Sequence, residues 1–377
     1  MTTRNHRIRL AENNFMAKTP IANITVSSVL SGFPFSNCIG QTRSKLFKFS
    51  GNFIVDASNN KIYINDGADK IITLVNSSTA YSTGTLLATH IQTQLNASST
   101  GWTVSYDTTL GTYRFRIQRN VAGTLRLSQV GNSTWNILGY LSSVDVTGTS
   151  FYADVQRNHT EESITIDLGL PVPMTFIALL GPLGSIFSIS NTAVVTLQAS
   201  NVNIFTSPPY SQTLSVSDKG VMRFLDDADT NYRYFKIKIV DQENPIGPQL
   251  PISYLYLGDY VTILSTNVAN GFDKINLDPS SVSAAESGVL YFDTKQKYSQ
   301  FNSMSVNVLS KADKDTLEKA YDSLGKTTPF FISLDPTNII TDTIFELTKL
   351  VVFNEMPSFR HIIRDIFSSS ISVREIL

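Results

Sequence analysis

The feature that most constrains this chain is a strict alternation of apolar and polar residues, sustained over long runs. In Tyr232-Arg233-Tyr234-Phe235-Lys236-Ile237-Lys238-Ile239, every second side chain from Phe235 onward is apolar. A period of two places those side chains on one face of a β-strand, with one face buried and the other wetted. The pattern recurs in Lys61-Ile62-Tyr63-Ile64-Asn65, Ser163-Ile164-Thr165-Ile166-Asp167-Leu168-Gly169, Val194-Val195-Thr196-Leu197-Gln198-Ala199-Ser200 and Ile252-Ser253-Tyr254-Leu255-Tyr256-Leu257-Gly258. Turn signals such as Asp66-Gly67 separate the runs, which predicts a mainly β, largely antiparallel protein. At 377 residues the chain needs two or three cores.

Two stretches break the period of two. Leu87, Ile91 and Leu95 recur at helical spacing and form one apolar stripe, predicting a helix packed on a sheet. Ser310-Lys311-Ala312-Asp313 has the spacing of a capping box, Leu317, Tyr321 and Leu324 supply a buried face, and Gly325 stops the helix. Strands flank this second helix, at Gly288-Val289-Leu290-Tyr291-Phe292 and Phe330-Phe331-Ile332-Ser333-Leu334, followed by Leu350-Val351-Val352-Phe353 and Ile371-Ser372-Val373. Trp102-Thr103-Val104-Ser105-Tyr106 and Tyr113-Arg114-Phe115-Arg116-Ile117 read as a hairpin, with Arg114 and Arg116 on one face.

Composition excludes several classes. Charged residues make up 16% of the chain, and 30 Lys plus Arg against 31 Asp plus Glu leave a net charge of -1. Nucleic-acid binding by counterion release calls for a basic excess, so no nucleic-acid partner is expected. The one basic cluster, Arg4, His6, Arg7 and Arg9, reads as a solvated tail or as an arm that docks on an acidic neighbouring subunit. The most apolar stretch, 172–189, is broken by Pro173, Gly181, Pro182 and Gly184 and reads as buried strands, so no membrane insertion is expected. No secretory signal follows the basic start. Cys38 is the only cysteine, which rules out an intrachain disulfide.

The four runs 163–169, 194–200, 232–239 and 252–258, in this order, resemble the discoidin, or galactose-binding-like, jelly roll. Asn23-Ile24-Thr25-Val26-Ser27-Ser28 resembles that family's opening strand, and Thr42-Arg43-Ser44-Lys45-Leu46-Phe47 its Thr-x-Trp turn. More than a hundred residues separate these from Asp167-Leu168-Gly169, which implies a discontinuous sandwich, 19–51 plus 156–263, carrying an inserted α+β unit at 52–155. An arm at 1–18 would precede it. A β-sandwich-like domain with one helix, 264–377, would follow.

The helix at 310–325 and the strands around it resemble β-sandwich domains of phage distal-tail and tail-tip proteins. The insert is similar to small modules of phage virion proteins through Asp66-Gly67, the stretch 86–96, Val104-Ser105-Tyr106-Asp107 and Ile137-Leu138-Gly139-Tyr140. These resemblances imply a structural component of a phage tail, at the tip, baseplate or adaptor region, assembled in the bacterial host cytoplasm. Its partners would be other virion proteins and further copies of itself in a ring. The alternatives are a glycan-binding host-attachment module and a head or neck component.

No catalytic motif points to an enzyme, and no cofactor is expected. The four histidines are scattered outside metal-ligand spacing, and no P-loop, Rossmann glycine pattern or G-x-S-x-G elbow occurs. Asp226, Asp227 and Asp229 place three hard oxygens within four residues, a weak Ca²⁺ candidate set against a solvated turn. Glu161-Glu162 reads as a pair of loop acids. The family's sugar sites lie on loops at one end of the sandwich, which makes Phe33, Phe35, Arg43, Tyr210 and Tyr232 the candidate ligand residues. Phe47 stands where the family has Trp, and Ile39-Gly40 where it has Asp-Gly, so its calcium and galactose contacts do not carry over.

Overall fold

The computed structural model describes residues 9–376 except 41–42, 77–80, 110–111, 183–186, 188, 191, 226–230, 243, 245–249, 263–272, 285–288, 296, 335–343 and 346. The chain is mainly β and is built on a sandwich. One sheet has five strands, ordered Tyr210–Leu214, Val194–Ser200, Asn231–Val240, Glu162–Pro173 and Ile24–Val26, all antiparallel. The other face comes from Gly220–Phe224, Phe176–Leu180 and Tyr254–Thr262. The alternation explains the core between them: Ile164, Ile166, Leu197, Phe235, Ile237 and Ile239 point inward from one sheet, Ile177, Leu179, Leu255 and Leu257 from the other. All are almost completely buried.

The second sheet does not end at the sandwich. It continues from Tyr254–Thr262 through Arg9–Asn14, Phe330–Ser333, Thr348–Phe353, Ile366–Glu375 and Tyr298–Ser310 to Asp273–Leu277; with Val216–Ser217 beside Gly220–Phe224 and Ser358–Ile363 beside Ile366–Glu375, the sheet has eleven strands among the described residues. Residues 9–14 therefore do not run as an arm. They form the strand that joins the two halves of the sheet, with Leu10 opposite Ile332 and Ala11 opposite Phe331 on one side, and Asn13 opposite Asp259 on the other. Unpaired N–H and C=O groups on the neighbouring strands explain why so polar a segment is taken up: a buried backbone group without a partner costs more than the segment's own side chains gain. Leu10 packs into the C-terminal core and Ala11 into a cluster on the opposite face.

The helix Lys311–Leu324 covers one face of the C-terminal half through Leu317, Ala320 and Leu324. Ser310 caps it as its spacing predicts: its Oγ accepts from the Asp313 N–H at 3.1 Å and donates to the Asp313 carboxylate at 2.8 Å. The opposite face of the shared sheet carries Phe176, Tyr256, Phe331 and Leu350, with Ile344 and Phe345 in the same cluster.

The insert has a sheet of its own, Asp69–Thr73, Lys61–Asn65, Phe115–Leu125, Trp102–Tyr106 and Val146–Tyr152, under the helix Gly84–Ser98. Leu87, Ile91 and Leu95 are buried against it, as their spacing predicts. The helix also holds the strand Trp102–Tyr106 by hydrogen bonds: Asn96 pairs with both backbone groups of Trp102 at 2.8 and 2.9 Å, and Gln92 accepts from the Val104 N–H at 2.9 Å.

Candidate functional site

The proposed ligand residues fall into different settings. Phe35 is 7% exposed and packs edge-on against Phe47 inside the sandwich core, so it cannot contact a ligand. Arg43 is also structural. It donates to the Gly181 carbonyl at 2.7 Å and to Ser253 Oγ at 3.4 Å, and burial lowers its pKa to about 10. Phe33 is half-buried under the Lys48 ammonium, 4.5 Å from its ring centre. Only Tyr210 and Tyr232 come together. Their rings lie 6.4 Å apart at 33°, at one end of the five-stranded sheet. Arg233 beside them makes a forked pair with Asp167 at 2.7 and 2.8 Å, and that hydrogen bonding lowers the Asp167 pKa. Asp226, Asp227 and Asp229 lie outside the described residues. Among the described residues, no group of three or more His, Cys, Asp or Glu is placed to hold a metal.

Glu162 is not a loop acid. It opens a strand and is fully buried where the chain crosses between sandwich and insert. Its carboxyl accepts from the hydroxyls of Ser27 and Ser28, and burial pushes its pKa up to about 7. His159, three residues earlier, is 1% exposed and accepts the Asp241 N–H through Nε2 at 3.2 Å; burial lowers its pKa to about 4. Asn158 bonds Asn244 O at 2.7 Å, and the Thr160 N–H bonds Asn52 O at 2.8 Å. Alternation starting at Ser163 gave no hint that the pattern extends back to these polar groups.

Two further features stand out. The first is a hairpin, Ser281–Ala284 with Leu290–Asp293, that forms a two-stranded sheet of its own. Its register puts Val282 opposite Phe292 and Ala284 opposite Leu290 on one face. Val282, Leu290 and Phe292 are 61%, 54% and 69% exposed. An isolated two-stranded ribbon is marginal in water, and one with an open apolar face gains stability only when that face is covered.

The second is a cleft of about 570 Å³ where the sandwich, the N-terminal strand and the end of the helix Lys311–Leu324 meet. Glu12, Asn13 and Asp259 supply its polar floor, with Lys18, Tyr254 and Leu324 among its walls. Burial raises the Glu12 pKa, the nearby Asp259 charge adds to the shift, and Lys18 opposes it. Tyr254 is pushed up to about 12 by burial, offset by the hydrogen bond from Asn14.

No protein-family model matches the sequence, and no curated protein matches it. Among solved structures, the chain is similar to a chitosan-binding module derived from a chitosanase/glucanase of Paenibacillus sp. IK-5, with TM-score 0.20 and 14% identity over 27% of this chain and 72% of that one. It is also similar to a fucolectin from striped bass (Morone saxatilis) serum, with TM-score 0.21 and 11% identity over 59% of this chain and 84% of that one.

Proposed function

We propose that the chain is a structural protein that works by assembly, as a component of a phage tail, and that its C-terminal unit supplies the contact. The exposed apolar face of the paired strands Ser281–Ala284 and Leu290–Asp293 carries this reading. Val282, Leu290 and Phe292 form a face that a neighbouring subunit would cover, and burying it would fix a ribbon that has little to hold it in the isolated chain. The sequence resemblances of the insert and of the C-terminal region to phage virion and tail-tip proteins support the same particle, and a catalytic role is not part of the proposal. Mass photometry of the purified chain tests it. The chain is expected to form oligomers that Leu290→Ser with Phe292→Ser disperses while circular dichroism shows the chain still folded. A wild-type chain that stays monomeric and is absent from electron micrographs of particles would overturn it.

A second reading, glycan binding by the sandwich, is favoured by the Tyr210–Tyr232 pair. Two half-buried rings at the end of a sandwich offer a surface on which a sugar ring can stack. Glycan-array binding that Tyr210→Ala abolishes would support it; an array with no signal would dismiss it.

A further inference from the structure

The cleft between the helix Lys311–Leu324 and the sandwich holds two carboxyl groups, each with a shielded oxygen that finds no hydrogen-bond donor among the described residues. These oxygens are Glu12 Oε2 and Asp259 Oδ1. The cation at the rim, Lys18, donates to Asn13 Oδ1 instead. The Tyr256 hydroxyl, on a fully buried side chain, is likewise unpartnered. It ends beside Gly258, where an added Cβ would collide with the Asn13 carbonyl, so it reaches the strand that floors the cleft. Shielded carboxyl oxygens with no donor cost stability until a cation or donor completes them.

A matching group is present in the sequence. Residues 1–8, Met1-Thr2-Thr3-Arg4-Asn5-His6-Arg7-Ile8, carry two arginines and a histidine and no acid. The guanidinium fork suits paired carboxylate oxygens, and a loss of hydration costs it less than it costs an ammonium. The direction of the N-terminal strand favours a segment from a neighbour. Residues 1–8 leave it at Arg9, opposite Thr262 and Ser333, whereas the cleft lies at the other end, at Glu12, Asn13 and Asn14. To reach the cleft of its own chain, the segment would have to reverse along roughly 15 Å of paired strand. A segment from a neighbour has no such turn to make.

We propose that this cleft receives the basic N-terminal segment of a second copy of the chain, with its arginines meeting Glu12 and Asp259. The contact is heterologous: each copy offers a segment on one side and a cleft on the other, so contacts run head to tail and close into a ring when the rotation allows. It rests on the assembly reading above and adds an electrostatic contact to the apolar hairpin.

The test uses two full-length variants and one peptide. Glu12→Gln with Asp259→Asn keeps the segment and neutralises the cleft; Arg4→Ser with Arg7→Ser keeps the cleft and neutralises the segment. A fluorescent peptide of residues 1–8 is expected to bind the arginine variant saturably, more tightly at low salt, and at least tenfold more weakly once the cleft is also neutralised. In mass photometry each variant should self-associate at least tenfold more weakly than wild type, and a mixture of the two should form pairs that neither forms alone. Peptide binding indifferent to Glu12 and Asp259 would overturn the inference. So would a wild-type chain that stays monomeric while the arginine variant binds the peptide, because the segment would then fill the cleft of its own chain. If wild type and both variants associate equally while the hairpin variant does not, the segment contact is wrong and the assembly reading stands. Should the carboxyl variant misfold, as circular dichroism would reveal, the arginine variant and competition by unlabelled peptide still decide the matter.

Discussion

Where the chain passes from the sandwich into the insert, the buried groups are Glu162, Asn158, His159 and Asn244; where the sandwich meets the C-terminal unit, they are Phe176, Tyr256, Phe331 and Leu350. The first junction is held by side-chain and loop hydrogen bonds, such as Asn158 to Asn244 O and Thr160 N–H to Asn52 O. The second is held by a continuous sheet and by a ring cluster in which Phe331 lies 5.1 Å from Phe176 and 5.2 Å from Tyr256. A polar junction can open into water at small cost, because water replaces its bonds. An apolar junction stitched by backbone ladders cannot. The insert is therefore expected to behave as a separate unit, and the sandwich and C-terminal unit as one.

Both tryptophans, Trp102 and Trp135, lie in the insert's core, so their fluorescence reports on that unit alone. The largest effect expected is from removing residues 1–14. That would leave Tyr254–Thr262 and Phe330–Ser333 with facing unpaired edges. Far-UV dichroism should lose the sandwich and C-terminal signal together, while tryptophan emission stays native. Emission lost in the same step would end the contrast between the junctions. Next comes Phe331→Ala, expected to cost about 3–5 kcal/mol in urea melts followed by dichroism. The tryptophan transition should stay where it was.

The polar junction is tested by pH. Glu162 has its pKa raised from 4.5 to about 7, so its contribution is fully present below pH 4.5 and is lost as pH rises through 7. His159 has its pKa lowered from 6.5 to about 4, so its contribution is present above pH 6.5 and is lost as pH falls through 4. Between pH 4.5 and 6.5 the two slopes oppose each other, and the wild-type junction should be nearly indifferent to pH. Glu162→Gln should expose a stability that rises with pH, and His159→Gln one that falls, each by up to about 1.4 kcal/mol per unit. Profiles parallel to wild type in both variants would remove the paired-titration account. The smallest expected change is Ser310→Ala, which deletes the helix cap at a cost of about 1 kcal/mol. It sharpens the comparison, because a cap in the C-terminal unit should lower the midpoint of the sandwich as well.

Much of this architecture was legible in the residues. The stripe Leu87, Ile91 and Leu95, the cap at Ser310 and the alternation from Ser163 to Ile166 each encode a local periodicity that packing then used. The N-terminal strand was not legible, because Arg9–Asn14 shows only Leu10 and Ala11 as apolar neighbours. Its place is fixed by what the flanking strands lack, which no local pattern records. The ligand residues fared unevenly for a related reason: Phe35 opens a short 3-10 turn, Phe35–Cys38, and its ring is buried in the core, whereas Tyr232 lies in a strand and stays half-buried, and aromatic identity alone records neither setting. The floor of the cleft was hidden too, since Glu12 and Asp259 lie far apart in sequence and meet only through the shared sheet.

That shared sheet also sets a timetable for biosynthesis. Ala11 pairs with Phe331, 320 residues later (331 minus 11), so the strand is made long before one of its two neighbours exists. At translation rates of about 5–20 residues per second, it waits roughly 15–65 s for that edge. The insert closes its own contacts within that interval and can fold on the ribosome. The sandwich cannot finish until the last third of the chain has emerged, which makes the early strand a natural client for whatever shields nascent chains.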